Sequence, residues 1–151
     1  MLDEPVRKIM RKNKMLTARP AELVAKAAQR MAGRNVGAML VIESGRLLGI
    51  ITERDIVFRV VAKGLDATHT RVSEIMTPNP ITIDADRPFG YALVVMHGEG
   101  FRHLPVVAGG KAVGIISARS ALDPELEEFA SETSRRKHFA SMASRQKSPG
   151  R

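Results

Sequence analysis

The chain has 151 residues, of which 44% are hydrophobic and 26% are charged, as expected for a compact unit of ordinary domain size. It contains no cysteine, which excludes disulfides, thiolate metal sites and cysteine nucleophiles. No apolar stretch reaches the roughly 18 residues of a spanning helix, and none near the start is long enough for a signal peptide. We therefore expect a cytoplasmic protein that does not enter a membrane.

The formal net charge of +8 lies at the two ends of the chain. Residues 1–19 carry a net charge of +4 and residues 129–151 carry +5, whereas residues 20–128 are nearly neutral. We interpret the basic ends as solvated tails, because one Tyr and no Trp supply a poor stacking surface for nucleic acid. A nucleic-acid-binding or scaffold function that uses the basic termini stays open as the alternative.

The first predicted unit has the order helix, strand, strand, helix. Apolar residues at helical spacing mark its first helix. Two runs rich in Val, Ile and Leu flank a turn that contains Gly and predict a β-hairpin. Their nearly continuous apolar character indicates strands that are covered on both faces. In chain order these features are an extended segment at 15–18, the helix with Leu23, Ala27 and Met31, and the strands 38–42 and 46–51 around the turn 43–45.

The second helix of this unit begins at Thr52, directly after the hairpin. It is predicted to continue to Lys63 and to end at Gly64, because Gly suits the left-handed residue that follows many helices.

A second unit repeats this order 65 positions later. The stretch "GIITERD" begins at Gly49 and "GIISARS" begins at Gly114, and other features keep the same offset. A repeat of this length indicates a supersecondary unit that buries its apolar face against its copy. The elements of the second unit are an extended segment at 80–83, a helix with Phe89, Leu93 and Met96, and strands at 104–107 and 111–116.

We divide the chain into six segments on this basis. A C-terminal helix is predicted to be capped at Asp123, with Pro124 at its first position. Ser, Arg, Lys, Pro and Gly dominate the last residues, for which we expect disorder. The segments are an N-terminal basic segment (1–9), repeat 1 (10–64), a linker (65–74), repeat 2 (75–122), the C-terminal helix (123–139) and a basic tail (140–151).

The tandem unit, with "GIITERD" after the first hairpin and "RHLPVV" opening the second, resembles the CBS domain, named for cystathionine β-synthase. The resemblance covers residues 10–122. It implies an α/β (α+β) fold of two pseudo-twofold-related CBS repeats, each a small sheet packed with two helices. It also implies a freestanding regulatory module that senses AMP, ADP, ATP, NAD or S-adenosylmethionine, needs no catalytic cofactor, commonly forms a homodimer and acts on an unidentified protein partner.

The chemistry of the residues after Gly49 agrees with such a ligand. A helix start offers unpaired N–H groups to a phosphate, and the Thr52 hydroxyl can donate a further hydrogen bond. Asp55, one turn later, can accept from both hydroxyls of a ribose. The alternative needs no ligand, because Thr-x-x-Asp is also a variant of the capping box.

The resemblance implies one strong nucleotide site built across the two repeats. Arg102 and His103 would bind phosphate, and Ile81 and Phe101 would enclose the adenine. Taken alone, His103 is equally well explained as a strand histidine bonded to a neighbour. Residues such as Ile81 and Phe101 are more often plain core. The site comprises Thr52, Arg54, Asp55, Pro80, Ile81, Phe101, Arg102 and His103.

A second site is predicted to be weak or degenerate. Ser120 stands where the first site has its ribose acid, and this loses a charge-assisted acceptor worth about 1.5–3 kcal/mol. Gly37 and Ala38 replace the equivalents of Arg102 and His103, so phosphate ligands are missing as well. The site comprises Leu16, Val36, Gly37, Ala38, Ser117, Arg119 and Ser120.

An enzyme is not expected. The four histidines, at positions 69, 97, 103 and 138, have no metal-ligand spacing, and no Ser lies in a nucleophile elbow. We therefore predict no catalytic residues and no metal site.

Overall fold

The computed structural model describes residues 1–10 and 15–121, together with residues 132 and 136. The chain forms two compact units, Met1–Ala118 and Arg119–Arg151. The predicted C-terminal helix (123–139) and basic tail (140–151) lie outside the described residues, except for Glu132 and Arg136, which are helical and exposed.

A four-stranded sheet forms the centre of the first repeat, and its last strand, Thr77–Pro78, comes from the range predicted as repeat 2. Its order is β1-β2-β3-β4, with β1 parallel to β2 and the other neighbours antiparallel. The hairpin turns at Ser44 and Gly45, which both have positive φ, as the favoured two-residue turn requires. The elements are β1 (Thr17–Ala18), α2 (Val24–Arg34), β2 (Ala38–Glu43), β3 (Arg46–Thr52), α3 (Glu53–Ile56) and β4 (Thr77–Pro78), with α1 (Val6–Ile9) before them and α4 (Val72–Ile75) between α3 and β4.

The second repeat copies the first at the predicted offset. Its three-stranded sheet has the order β5-β6-β7, again with a parallel pair followed by an antiparallel hairpin. The main helix and both hairpin strands begin and end 65 positions after their counterparts. The elements are β5 (Ile83–Asp84), α5 (Phe89–Glu99), β6 (His103–Ala108), β7 (Lys111–Ser117) and a 3-10 helix (Ala118–Ala121). The predicted mixed α/β fold of two repeats is confirmed.

The strand β2 is buried on both faces, as its continuous apolar sequence predicts. Met39 and Val41 point into a core shared with α2. Leu40, on the opposite face, packs in a second cluster that also receives Ala112 and Ile115 of β7. Because side chains alternate along a strand, one strand contributes both to the core of its own repeat and to the contact between the repeats.

The short helix that precedes each repeat packs on the other repeat. The helix α1 precedes repeat 1 but lies on repeat 2, where the Val6 N–H donates to the Arg87 carbonyl at 2.9 Å. The helix α4 precedes repeat 2 but lies on repeat 1, where the Val72 N–H donates to the Glu22 carbonyl at 2.8 Å. Val6 is fully buried, so residues 1–10 are not the solvated tail that their charge suggested.

The predicted helix from Thr52 to Lys63 is not a regular α-helix. A single α turn, α3, is followed by a π-helix at Val57–Val61. The β-branched side chains of Val57, Val60 and Val61 lower the α-helix propensity of this segment. The segment still closes at Gly64 with a φ of 65°, in the predicted left-handed conformation.

None of the helices within the described residues combines the length and the apolar character needed to cross a bilayer.

Candidate functional site

A cleft of about 760 Å³ lies where the start of α3 faces the first residues of repeat 2 and of β6. All eight residues predicted for the strong site line this cleft. They come from both repeats, so the chain brings together residues that are far apart in sequence. Their binding of a ligand stays a prediction.

One wall of the cleft is the helix start at Thr52. The Thr52 Oγ1 accepts from the Asp55 N–H at 3.2 Å, while the Asp55 Oδ2 accepts from the Thr52 N–H at 2.9 Å and from its hydroxyl at 3.0 Å. These bonds form the capping box that the sequence offered as the alternative. The carboxylate of Asp55 therefore already stabilises the helix, and its Oδ1 is the oxygen left for another donor.

The helix start offers fewer free N–H groups than the sequence suggested. The N–H groups of Thr52 and Asp55 are used in the capping box. The Glu53 N–H donates to the Gly37 carbonyl at 3.0 Å. Phosphate binding in this cleft would therefore depend on side chains more than on the backbone of α3.

Arg59 connects the cleft to the segment between the repeats. Its Nε lies 3.7 Å from the Oδ1 of Asp55. Its guanidinium also donates to the carbonyls of Ile75 and Met76 at 3.0 and 3.2 Å, at the end of α4. The carboxylate oxygen that the capping box leaves unused is thus connected to α4 through Arg59.

The opposite wall is formed by Phe101, Arg102 and His103, at the start of β6. Arg102 is exposed, and His103 is half-buried. Burial lowers the pKa of His103, the positive charge of Arg102 lowers it further, and the carboxylate of Glu53 acts in the opposite direction. His103 is therefore held towards its neutral form.

The apolar part of the cleft includes Pro80, Ile81 and Phe101. Ile81 is 45% exposed, although an apolar residue of its size is usually covered. The predicted contact with a flat, apolar adenine ring agrees with such exposure. On the other side of the cleft, the Arg54 guanidinium lies 4.8 Å from the centre of the Phe58 ring.

Eight further lining residues were not predicted from the sequence: Ile50, Glu53, Val57, Phe58, Thr77, Asn79, Gly100 and Pro105. Ile50 could have been found, because it lies two positions before Thr52 and shares its face of β3. Asn79 has a φ of 44° between two prolines, a conformation that Asn tolerates better than most residues. Glu53 and Phe58 gave no signal of their own in the sequence.

The residues predicted for the second site are spread over several elements. Leu16 and Ala38 are buried, whereas Val36, Gly37 and Ser117 are half-buried. Gly37 lies against the first site, because a Cβ built on it would be 3.3 Å from the His103 imidazole. Arg119 and Ser120 belong to the 3-10 helix that continues into the second compact unit.

Two basic residues of the N-terminal segment are paired with acids. Arg7 forms an ion pair with Asp86, and the Lys8 Nζ lies 2.8 Å from a Glu4 carboxylate oxygen. These pairs reduce the positive charge that α1 offers to a nucleic acid. Residues 11–14 of the basic N-terminal stretch lie outside the described residues.

Comparisons with known proteins identify the same family by sequence and by structure. The sequence profile of the CBS domain matches residues 6–62 and again residues 72–124. CBS domain-containing protein CBSCBSPB2 of Arabidopsis thaliana is 42% identical over 116 residues, which cover 76% of this chain and 22% of that protein. The chain thus spans about a fifth of the length of this relative.

Two solved structures share the fold over most of their length. An uncharacterized conserved protein from Pyrococcus horikoshii is 32% identical, with a TM-score of 0.77 over 83% of this chain and 94% of that one. The CBS domain pair of protein MJ0100, solved with 5-methylthioadenosine and S-adenosyl-L-methionine, is 28% identical, with a TM-score of 0.69 over 78% of this chain and 95% of that one. The chain belongs to the CBS-domain family, and its two repeats form a CBS pair.

Proposed function

We propose that this CBS pair is a non-catalytic regulatory module that binds one adenosine-containing ligand in the cleft. The candidates are AMP, ADP, ATP, NAD and S-adenosylmethionine. The observation that carries the proposal is the convergence of all eight predicted residues, from both repeats, on one cleft. Its volume of about 760 Å³ is within the usual range for small-molecule sites.

Each part of the ligand has a partner of suitable chemistry in the proposed complex. The ribose hydroxyls donate to the Oδ1 of Asp55, which the capping box leaves available. The adenine lies between Ile81 and Phe101. A phosphate or another anionic group contacts Arg102, beside the neutral imidazole of His103. The second site, which lacks the acid and the Arg-His pair, is proposed to be weak or empty.

The proposal is supported by the ligands of a related structure. The MJ0100 CBS pair was solved with two adenosine derivatives. Both carry adenine and ribose, which are the groups that Asp55, Ile81 and Phe101 would contact here.

The signal is proposed to leave the cleft through Arg59. A ribose that engages the Asp55 carboxylate competes with Arg59 for the same oxygen. Arg59 also holds the last carbonyls of α4, and α4 connects the two repeats. Ligand binding would therefore change the contacts of this connection and so reach a protein partner.

A second copy of the chain is proposed to cover part of the surface. Tyr91 and Val94 on α5 are 50% and 68% exposed, and Val61 at the end of the π-helix is 68% exposed. Tyr91 and Val94 lie on neighbouring turns of α5. Exposed apolar residues of this kind suit a helix-to-helix contact in a homodimer. Sedimentation equilibrium should give twice the chain mass for the parent, and the Val61→Glu/Val94→Glu variant should be monomeric. A monomeric parent at micromolar concentration would exclude the dimer.

Isothermal titration with the five candidate ligands tests the proposed function. At least one should bind with about one site per chain. Asp55→Ala should weaken its binding roughly tenfold to a hundredfold, because a charge-assisted hydrogen bond contributes about 1.5–3 kcal/mol.

The matched control is Glu74→Ala. The Glu74 carboxylate accepts from the Arg71 N–H at 2.6 Å at the start of α4, but Glu74 does not line the cleft. Both variants remove a helix-capping carboxylate and should lose about 1 kcal/mol of stability, whereas only Asp55→Ala should lose affinity. If no candidate binds, the proposed function is wrong. If a candidate binds both variants as tightly as the parent, Asp55 is only a helix cap and its proposed contact with the ribose is wrong.

A further inference from the structure

The charged residues that line the cleft cancel one another. Arg54 and Arg102 are the two cations, and Glu53 and Asp55 are the two anions. His103 adds no full positive charge near neutral pH, because burial lowers its pKa. A cleft that bound a strongly anionic ligand would need an excess of cations, since each buried negative charge has to be compensated.

Glu53 occupies the part of the cleft where Arg102 and His103 lie. Its Oε1 is 3.1 Å from the position of a Cβ built on Gly37, and the His103 Cε1 is 3.3 Å from the same point. Glu53 and His103 therefore both lie close to Gly37. The backbone of Glu53 is fixed there as well, because its N–H donates to the Gly37 carbonyl.

Two features increase the influence of this carboxylate. The first-turn N–H groups of Thr52, Glu53 and Asp55 all have partners within the chain. Arg54 lies over the Phe58 ring. An anionic group that enters beside His103 thus meets Glu53 without a compensating row of free backbone donors.

We infer that Glu53 is a specificity-determining residue, which limits the negative charge of the ligand and makes the cleft prefer adenosine compounds with one phosphate or none over di- and triphosphates. This inference rests on the proposed function, because it needs an adenosine ligand in the cleft. Each further phosphate adds negative charge that Glu53 repels, so the effect grows along the series from adenosine to ATP.

The test is a titration of adenosine, AMP, ADP and ATP into the parent chain and into Glu53→Gln, without Mg²⁺ so that each nucleotide keeps its full charge. The parent should bind AMP more tightly than ATP. The substitution keeps the size of the side chain and removes the charge. ATP should gain roughly tenfold in affinity, AMP about threefold, and adenosine less than about twofold. The gain for ATP should shrink at high salt, where charges are screened.

The matched control is Glu43→Gln. Glu43 is an exposed residue at the end of β2 outside the cleft lining, and its substitution changes the net charge by the same amount. All four ligands should bind this variant within about twofold of the parent. Circular dichroism should show the same fold for all three proteins.

Three results would overturn the inference. Equal gains for adenosine and ATP in Glu53→Gln would show an effect on shape and not on charge. The same gain in Glu43→Gln would show a general effect of net charge. A parent that binds ATP more tightly than AMP would contradict the predicted preference while leaving the proposed function intact. If adenosine, AMP, ADP, ATP, NAD and S-adenosylmethionine all fail to bind, the proposed function is wrong, and the inference is wrong with it.

Discussion

The two repeats have the same backbone conformation and differ in their side chains. The Val36 N–H donates to the Met31 carbonyl at 3.1 Å, and 65 positions later the Phe101 N–H donates to the Met96 carbonyl at the same distance. The irregularity in each hairpin also falls at the same point, after Val41 and after Val106. The repeated backbone therefore does not depend on the side chains that face a ligand.

The side chains near the contact between the repeats show the difference. Repeat 2 has Arg102 and His103 where repeat 1 has Gly37 and Ala38. The small residues do more than remove ligand groups. Because Gly37 has no Cβ, Glu53 and His103 can both approach its Cα. The loss of functional groups on one repeat thus helps to shape the cleft that the other repeat lines.

The largest expected difference between the repeats concerns two equivalent glycines, Gly49 in β3 and Gly114 in β7. A Cβ on Gly49 would lie 2.5 Å from the Met76 Sδ and 2.9 Å from the Thr77 carbonyl oxygen. A Cβ on Gly114 would lie 2.7 Å from the Met10 Sδ, and its other near neighbours also belong to that side chain. A thioether can move, whereas the backbone of a paired strand cannot do so easily.

Gly49→Ala should therefore lower the free energy of unfolding by about 1–3 kcal/mol, and Gly114→Ala should lower it by less than about 1 kcal/mol. Urea unfolding followed by circular dichroism measures both values. Equal losses would mean that the strand β4, which pairs with β3 through Thr77 and Pro78, shifts as easily as the Met10 side chain.

A smaller difference is expected in the pH dependence of stability, since repeat 2 has His103 where repeat 1 has Ala38. Burial lowers the pKa of His103 in the folded state, so the unfolded chain binds the proton more tightly. The stabilising effect is complete above the unfolded pKa of about 6.5 and is lost as the pH falls from there towards the lower, folded value.

The free energy of unfolding of the parent should thus fall between pH 7.5 and pH 5 more steeply than that of His103→Ala, the residue found in repeat 1, or of His103→Gln. Chemical unfolding at several pH values gives the slopes. Parallel slopes for all three proteins would show that His103 keeps its ordinary pKa in the folded chain.

The sequence by itself determined the repeat, the hairpins and the main helices. The offset of 65 positions predicts equal backbones, and α2 and α5 do begin and end at that offset. The nearly continuous apolar sequence of β2 predicted that both faces of the strand are buried. Leu40 and Val41 are indeed buried on opposite faces. These features depend on local pattern and periodicity, which a single sequence records directly. The resemblance carried by "GIITERD" and "RHLPVV" also predicted eight residues that line one cleft, and their binding of a ligand stays a prediction.

Only the tertiary structure decided where the segments before each repeat lie. The short stretches "VRKIM" at Val6 and "VSEIM" at Val72 are alike, but nothing local indicates that each helix packs on the other repeat. That choice follows from long-range fit, because Met10 fills the space over Gly114 and Met76 fills the space over Gly49.

The tertiary structure also decided which hydrogen-bonding groups around the cleft are already paired within the chain. Thr52 and Asp55 could have presented free donors and acceptors, but they bond to each other, and the Glu53 N–H bonds to Gly37. Glu53 lies close to Gly37, which is 16 positions before it, and His103, which lies close to the same glycine, is 50 positions after it. Local sequence determines which groups a residue carries, whereas the packed chain determines which of those groups remain available to a ligand.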